Sequence, residues 1–269
     1  METHSLGKAW RTAFGHVYCV SFAPYLQRRE RLVDELKRVE IIDKSLDSDI
    51  ESFFSFHLTV DNPFEQLLLS HPEFSWPKNN MRFNKGALSL ALGHYSVMKE
   101  ARALCYNRIL VIEDDIVFLK DKDKLKNILE HFPSDGDIVM LDKVTPTPQA
   151  WALDLANNRD SSGMYVTLSP NDILWTTSCF ALTTKAMTHI CYCQEKSFNV
   201  ADYYTNSFVP NREHKIQIAS FPVKRMSSIV SIACQRPSEE TISDHGEENS
   251  VYKQRGLYDC GINFSDYNL

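Results

Sequence analysis

Residues 108–118, RILVIEDDIVF, set three adjacent carboxylates, Glu113, Asp114 and Asp115, between two apolar segments. Few features constrain a fold more, because each of those charges must reach water or a partner of opposite sign. The uninterrupted apolar run 109–112 predicts a strand buried on both faces of a parallel sheet. The acids then fall at its carboxyl end, which in an open α/β sheet borders the ligand crevice. Side chains alternate along an extended chain, so Glu113 and Asp115 are expected on one side and Asp114 on the other. Like charges this close raise one another's pKa unless a cation neutralises them, and a divalent metal held by Glu113 and Asp115 is the economical answer. Solvated strand-end acids or helix-capping residues are the bland alternative. Apolar Ile116, Val117 and Phe118, directly after the acids, argue against a plain surface turn.

Composition narrows what surrounds this run. A chain of 269 residues can bury a substantial core as one large or two small domains. Its net charge of -6 gives no electrostatic footprint for a nucleic-acid partner, so an anionic substrate must be held by local positive groups. There is no apolar run of the roughly 18 residues that a membrane span needs. The opening METHSLGKAWRTAF lacks the apolar core of a signal peptide, and a cytoplasmic location is the default expectation. Seven cysteines, an odd number scattered through apolar segments, read as reduced thiols.

Taken in order, residues 1–13 read as a mobile lead, 14–235 as one α/β domain and 236–269 as a polar, acidic tail that packs weakly or not at all. HVYCVSF (16–22) is a first buried strand. After a break at Ala23, Pro24 and Tyr25, residues 27–41 carry Leu32, Leu36 and Val39 at helical spacing. Arg28 and Arg29 fall where that loop becomes helix, an arrangement that suits the phosphates of a nucleotide; a solvated basic first turn is the plainer reading. Residues 52–61 give a second strand. KGALSLALGHYSVMKEARAL gives an amphipathic helix with Leu88, Leu92, Tyr95 and Met98 on one face, leading into the acidic strand as a βαβ unit. A charged helix and a strand over 136–144 follow. Residues 145–171 form an excursion without periodicity, the kind of long loop that serves as a lid or binding surface. A strand and helix within 173–193 and a last strand over 215–223 complete the pattern.

Four of these blocks, in this order, resemble glycosyltransferase family 25, the lipopolysaccharide-type and collagen-type galactosyltransferases. They are VSFAPYLQRRERL, KGALSLALGH, VIEDDIVF with GDIVML, and CFALTTKAM through VADYY, together covering residues 16 to about 205. The resemblance implies a GT-A-like fold, a mostly parallel nucleotide-binding sheet flanked by helices. It implies manganese (or magnesium) held at the acidic motif by Glu113 and Asp115 against a UDP-sugar donor. Ser21, Arg28, Arg29, Asp114 and His94 are the residues it places around the donor. Family members invert the anomeric centre, so a carboxylate should deprotonate the acceptor hydroxyl; Asp202 matches the family's downstream Asp, with Asp142 the second choice. A helix N-cap is the alternative role for Asp202. Tyr203, Tyr204, Trp151 and Trp175 are the aromatic candidates for the sugar-binding walls. The implied activity is transfer of galactose from UDP-galactose to a saccharide or glycolipid acceptor such as a lipooligosaccharide core, with peripheral association at the inner face of a membrane through that acceptor.

The chain also departs from the pattern. Ser21 stands where the family usually has Asn, and Ala87, Ser89 and Gly93 replace its Glu, Gly and Ser, while Gly86 and His94 remain. An inactive member that binds donor or metal without turnover is therefore a second reading. A third takes ILVIEDD as similar to the opening of a phosphoacceptor receiver domain, although 108 residues precede it here.

Overall fold

Buried apolar strands alternating with amphipathic helices can close only by packing helices on both faces of a sheet, and that is the arrangement found. A computed structural model describes residues 5–42, 53–59, 85–142, 158–168, 178–196 and 223–235, with Asp266. Helix α1 (Leu6–Ala13) precedes strand β1 (His16–Phe22), helix α2 (Leu26–Arg38) and strand β2 (Phe54–Thr59). Helix α3 (Lys85–Ala103), β3 (Arg108–Glu113), β4 (Ile116–Phe118) and α4 (Lys122–Glu130) follow. Then come β5 (Ile138–Met140), β6 (Tyr165–Thr167), β7 (Cys179–Thr183), α5 (Thr184–Lys196), β8 (Arg225–Ser228) and β9 (Ala233–Gln235).

The main sheet has the order β2-β1-β3-β7-β5-β8-β6. Strands β1, β2, β3, β5 and β8 run one way, whereas β7 and β6 run antiparallel to their neighbours. This is the expected α/β architecture, consistent with a GT-A-like domain. Helices α1, α2 and α4 cover one face through Leu6, Trp10, Leu32, Leu36, Leu125 and Ile128. Helices α3 and α5 cover the other through Tyr95, Val97, Met98, Met187 and Ile190. β3 is buried on both faces, with Leu110 and Ile112 in the first core and Ile109 and Val111 in the second.

Three expectations change. Residues 6–13 are no mobile lead but helix α1, capped by Ser5, whose hydroxyl accepts the Lys8 amide at 3.3 Å. Its Trp10 is fully buried, donates Nε1–H to the Val39 carbonyl at 2.9 Å and packs edge-on against Phe118. Eight residues are too few for periodicity to announce a helix that only tertiary burial stabilises. Second, part of the 145–171 excursion is ordered: Asp160 accepts from the Tyr165 amide and the Ser162 hydroxyl, and β6 then pairs with β8 at the sheet edge. Third, β8 and β9 lie beyond the strand expected over 215–223, nearly all of which falls outside the described residues. Within the expected tail, the Asp266 carbonyl accepts the Lys120 amide at 2.8 Å.

Gly93 permits the close approach of α3 to the sheet, since a Cβ there would sit 2.6 Å from Val20 Cγ1 and 2.7 Å from Thr59 Cγ2. Gly93→Ala is expected to lower unfolding free energy by about 1–3 kcal/mol, measured by chemical denaturation, because neither β-branched neighbour can yield cheaply. A pH dependence also follows. Burial, the main cause, holds His57 and His189 below the ordinary imidazole pKa of 6.5. A fold that favours the neutral ring gains stability present in full above pH 6.5 and lost as the pH falls below it. Melting temperature should drop between about pH 7.5 and about pH 5.5, and His189→Gln should shrink that drop.

Candidate active site

At the carboxyl ends of β1 and β3 the sheet places every described residue of the acidic block and its partners. Glu113, Asp114 and Asp115 are 7%, 3% and 3% exposed, so none of the three is a solvated surface acid. β3 ends at Glu113, residues 114–115 form a turn, and β4 then pairs antiparallel with β9. The apolar triplet after the acids is thus a real strand, and it is fastened from behind. Buried Glu35 accepts the Phe118 amide at 2.7 Å and a two-pronged pair from Arg38 at 2.8 and 2.6 Å.

Because the strand stops at Glu113, the expected alternation stops there too. Asp114 and Asp115 share a partner: Arg28 Nη1 lies 3.3 Å from Asp114 Oδ1 and 3.9 Å from Asp115 Oδ2. Glu113 instead faces α3, with His94 Nε2 3.7 Å from its Oε1 and the imidazole stacked on Phe180 at 5.4 Å. The Ser21 hydroxyl donates to Asp114 Oδ2 at 2.5 Å. Burial pushes the Asp114 carboxyl above the usual aspartate range, while Ser21 and Arg28 pull against that rise. The same burial, reinforced by the three carboxylates, raises the Cys19 thiol well above its normal pKa.

Arg28 and Arg29, read from the sequence as suited to a nucleotide's phosphates, both make contacts within the protein. Arg28 sits over the Tyr25 ring at 4.6 Å and against the acids. Arg29 donates to the Phe22 and Ala23 carbonyls, both at 2.8 Å, and to Ser21 Oγ at 3.3 Å, so it braces the loop from β1 into α2. Both arginines thus come from the first turn of α2 and reach back to the end of β1 and the acidic turn.

Asp142, two residues past β5, joins this edge through a residue that sequence reasoning missed. Ser178, fully buried at the entry to β7, donates its hydroxyl to Asp142 Oδ2 and accepts the Glu113 amide on its carbonyl at 2.9 Å. Antiparallel β7, inserted between β3 and β5, is what lets one serine touch both acidic strand ends. A serine before an apolar strand carries no signal by itself; only the strand order reveals its place. Asp202, Tyr203, Tyr204, Trp151 and Trp175 lie outside the described residues.

Carboxylate oxygens are the donors that hard divalent cations take. Glu113 and Asp115 face different partners, His94 and Arg28, and among the described residues no three His, Cys, Asp or Glu side chains form a group that could hold a metal ion. The six described cysteines are free thiols, five of them buried.

No protein-family model matches the chain. Comparison with curated proteins finds "Inactive glycosyltransferase 25 family member 3" of Mus musculus, 31% identical over 132 residues, which is 48% of this chain and 20% of that protein. The likeness is to glycosyltransferase family 25. The protein of the same name in Homo sapiens is 26% identical over 143 residues, 52% of this chain and 23% of its own length. "Probable inactive glycosyltransferase 25 family member 3" of Rattus norvegicus is 30% identical over 132 residues. The matched region spans only about a fifth of the length of these relatives. The similarity therefore supports a glycosyltransferase 25-like chain and leaves activity to other arguments. No helix among the described residues is long and apolar enough to cross a membrane.

Ser21→Ala would strip a charge-assisted hydrogen bond from a buried carboxylate. The expected cost is about 1.5–3 kcal/mol of unfolding free energy, read by denaturant titration. An unchanged midpoint would mean that the Ser21–Asp114 contact does not hold the turn.

Proposed function

We propose that this protein is an inverting, metal-dependent hexosyltransferase that moves galactose from UDP-galactose to a saccharide or glycolipid acceptor. The observation that carries it is the buried Glu113-Asp114-Asp115 turn, fixed by Ser21, Arg28 and His94 at the carboxyl end of parallel strands. Buried carboxylates in this number are costly to stability, and a crevice that must grip a cation and a diphosphate is a sufficient reason for them. Likeness to glycosyltransferase 25 proteins supports the coarser, glycosyltransferase-like part of this reading.

Glu113 and Asp115 would hold manganese or magnesium, whose chemistry is to neutralise the charge that develops on the departing nucleoside diphosphate. The remaining roles belong to side chains. Ser21 and Arg28 hold Asp114 in one orientation, and Arg29 keeps the β1–α2 loop in register beneath it. His94, clamped by Phe180, orients Glu113. A carboxylate accepts the acceptor hydroxyl's proton as that oxygen attacks the anomeric carbon; Asp202 is our first candidate and Asp142, oriented by Ser178, the second.

A second reading is favoured by the names of the relatives and by the altered GALSLALGH block: a nucleotide-sugar or metal-binding chain without turnover. Donor hydrolysis and transfer assays with added manganese, across an acceptor panel, separate the two. For the enzyme, Asp115→Ala should reduce the rate on the order of a hundredfold or more, and chelation should do the same. Rates indifferent to both would overturn the metal assignment, while calorimetric donor binding with no transfer or hydrolysis would select the inactive reading.

A further inference from the structure

Strand β4 has two edges, and among the described residues β9 covers one of them. Leu119 donates its amide to the Ile232 carbonyl on that side at 3.0 Å. The Phe118 amide, one residue earlier and so on the alternate side, goes to α2 instead. There two side chains meet the strand as a neighbouring strand would. Glu35, 6% exposed, accepts the Phe118 amide at 2.7 Å, and Arg38 Nη2 donates to the Phe118 and Leu119 carbonyls at 3.0 and 3.1 Å. Two bonds between Arg38 and Glu35, at 2.8 and 2.6 Å, lock the pair together. A buried ion pair is a poor device for stability, because desolvation offsets most of the attraction; its best attested use is to fix register. The spacing shows which register is fixed. Arg28 and Glu35 lie seven positions apart on α2, about 10.5 Å of helix rise. Asp115 and Phe118 lie three positions apart, about 10 Å of extended chain. The spans match, so α2 meets the acids through Arg28 and the strand leaving them through Glu35.

We propose that Glu35 and Arg38 are positioning residues for the nucleotide site: they set where the chain leaves the acidic turn, and through it the placement of Asp114 and Asp115. The proposal rests on the nucleotide-sugar reading above and adds two residues that act only through the turn. Without the pair, β4 keeps β9 but loses its register against α2, and the turn shifts relative to Ser21 and Arg28. A misplacement of about 1 Å at a reacting site costs on the order of a hundredfold in rate. A guanidinium suits the task, because its planar fork fixes its angles to a carboxylate and to carbonyls together.

The test separates position from stability. In the double variant Glu35→Gln with Arg38→Met, the amide oxygen still accepts from Phe118 and no buried charge is left alone, so the melting temperature should stay within about 4 °C of the wild type. Titration calorimetry on the full chain with UDP, in buffer with manganese and in buffer without, should nevertheless show about tenfold weaker binding wherever the wild type binds. Working well below each melting temperature keeps loss of fold out of the affinity. Unchanged UDP affinity overturns the proposal and leaves the pair a plain anchor. The same double change made in Ser21→Ala, whose turn has already lost one fastening, should weaken UDP by no more than about threefold beyond Ser21→Ala alone, because both act through one turn. A full further tenfold would mean independent effects, which also overturns it. If circular dichroism shows that the double variant does not fold, Arg38→Lys carries the test. An ammonium cannot span the carboxylate and two carbonyls as the fork does, so UDP affinity must fall at least about threefold, and an unchanged value overturns the role. A wild type that binds no UDP in either buffer refutes the nucleotide-sugar reading, and this role with it. Wild-type affinity retained by every variant refutes only the role of Glu35 and Arg38.

Discussion

Everything at the functional edge of this fold depends on how three consecutive carboxylates are kept out of water. Their desolvation is expensive, and the chain offsets it with a serine hydroxyl, one shared guanidinium and a facing histidine rather than with solvent. The rest of the local structure serves that compensation. Arg29 immobilises the loop that carries Ser21, and Glu35 with Arg38 anchors the strand that leaves the turn. Trp10 packs against Phe118, tying the first helix to the same strand.

The sheet supplies the second constraint. Three neighbouring parallel strands bring Ser21, at the end of β1, beside Glu113, at the end of β3. The reversal at β7 then brings Ser178 to the same edge, where it joins Glu113 to Asp142 through one backbone and one side-chain hydrogen bond. The backbone of Glu113 and the side chain of Asp142 are thereby fastened to one buried serine.

Likeness to proteins named inactive gives the departures of this chain particular weight. Gly93 stands where the family pattern has Ser, and a side chain there would collide with Val20 and Thr59. The exchange is thus absorbed by packing between α3 and the sheet, while His94, the next residue, still faces Glu113. Ser21 in place of Asn still donates to Asp114. Both departures leave the contacts of the acidic turn with Ser21 and His94 in place.

Much was decided by local pattern. The apolar run 109–112 announced a doubly buried strand, the spacing of Leu32 and Leu36 announced α2, and the EDD run announced a crowded acidic turn at the strand's end, since hydrophobic period and charge crowding are properties of neighbouring residues. What tertiary structure alone decided was partnership. Alternation predicted Glu113 paired with Asp115, but the strand ends at Glu113, and Arg28 joins Asp115 to Asp114 instead. The contacts of Arg28 with the acids and of Arg29 with the loop carbonyls, the docking of α1, and the reach of Ser178 to Asp142 through the reversed β7 are of this kind. Each depends on contacts between residues far apart in the chain, and such contacts are set by the packing of whole elements, which no short window of sequence contains.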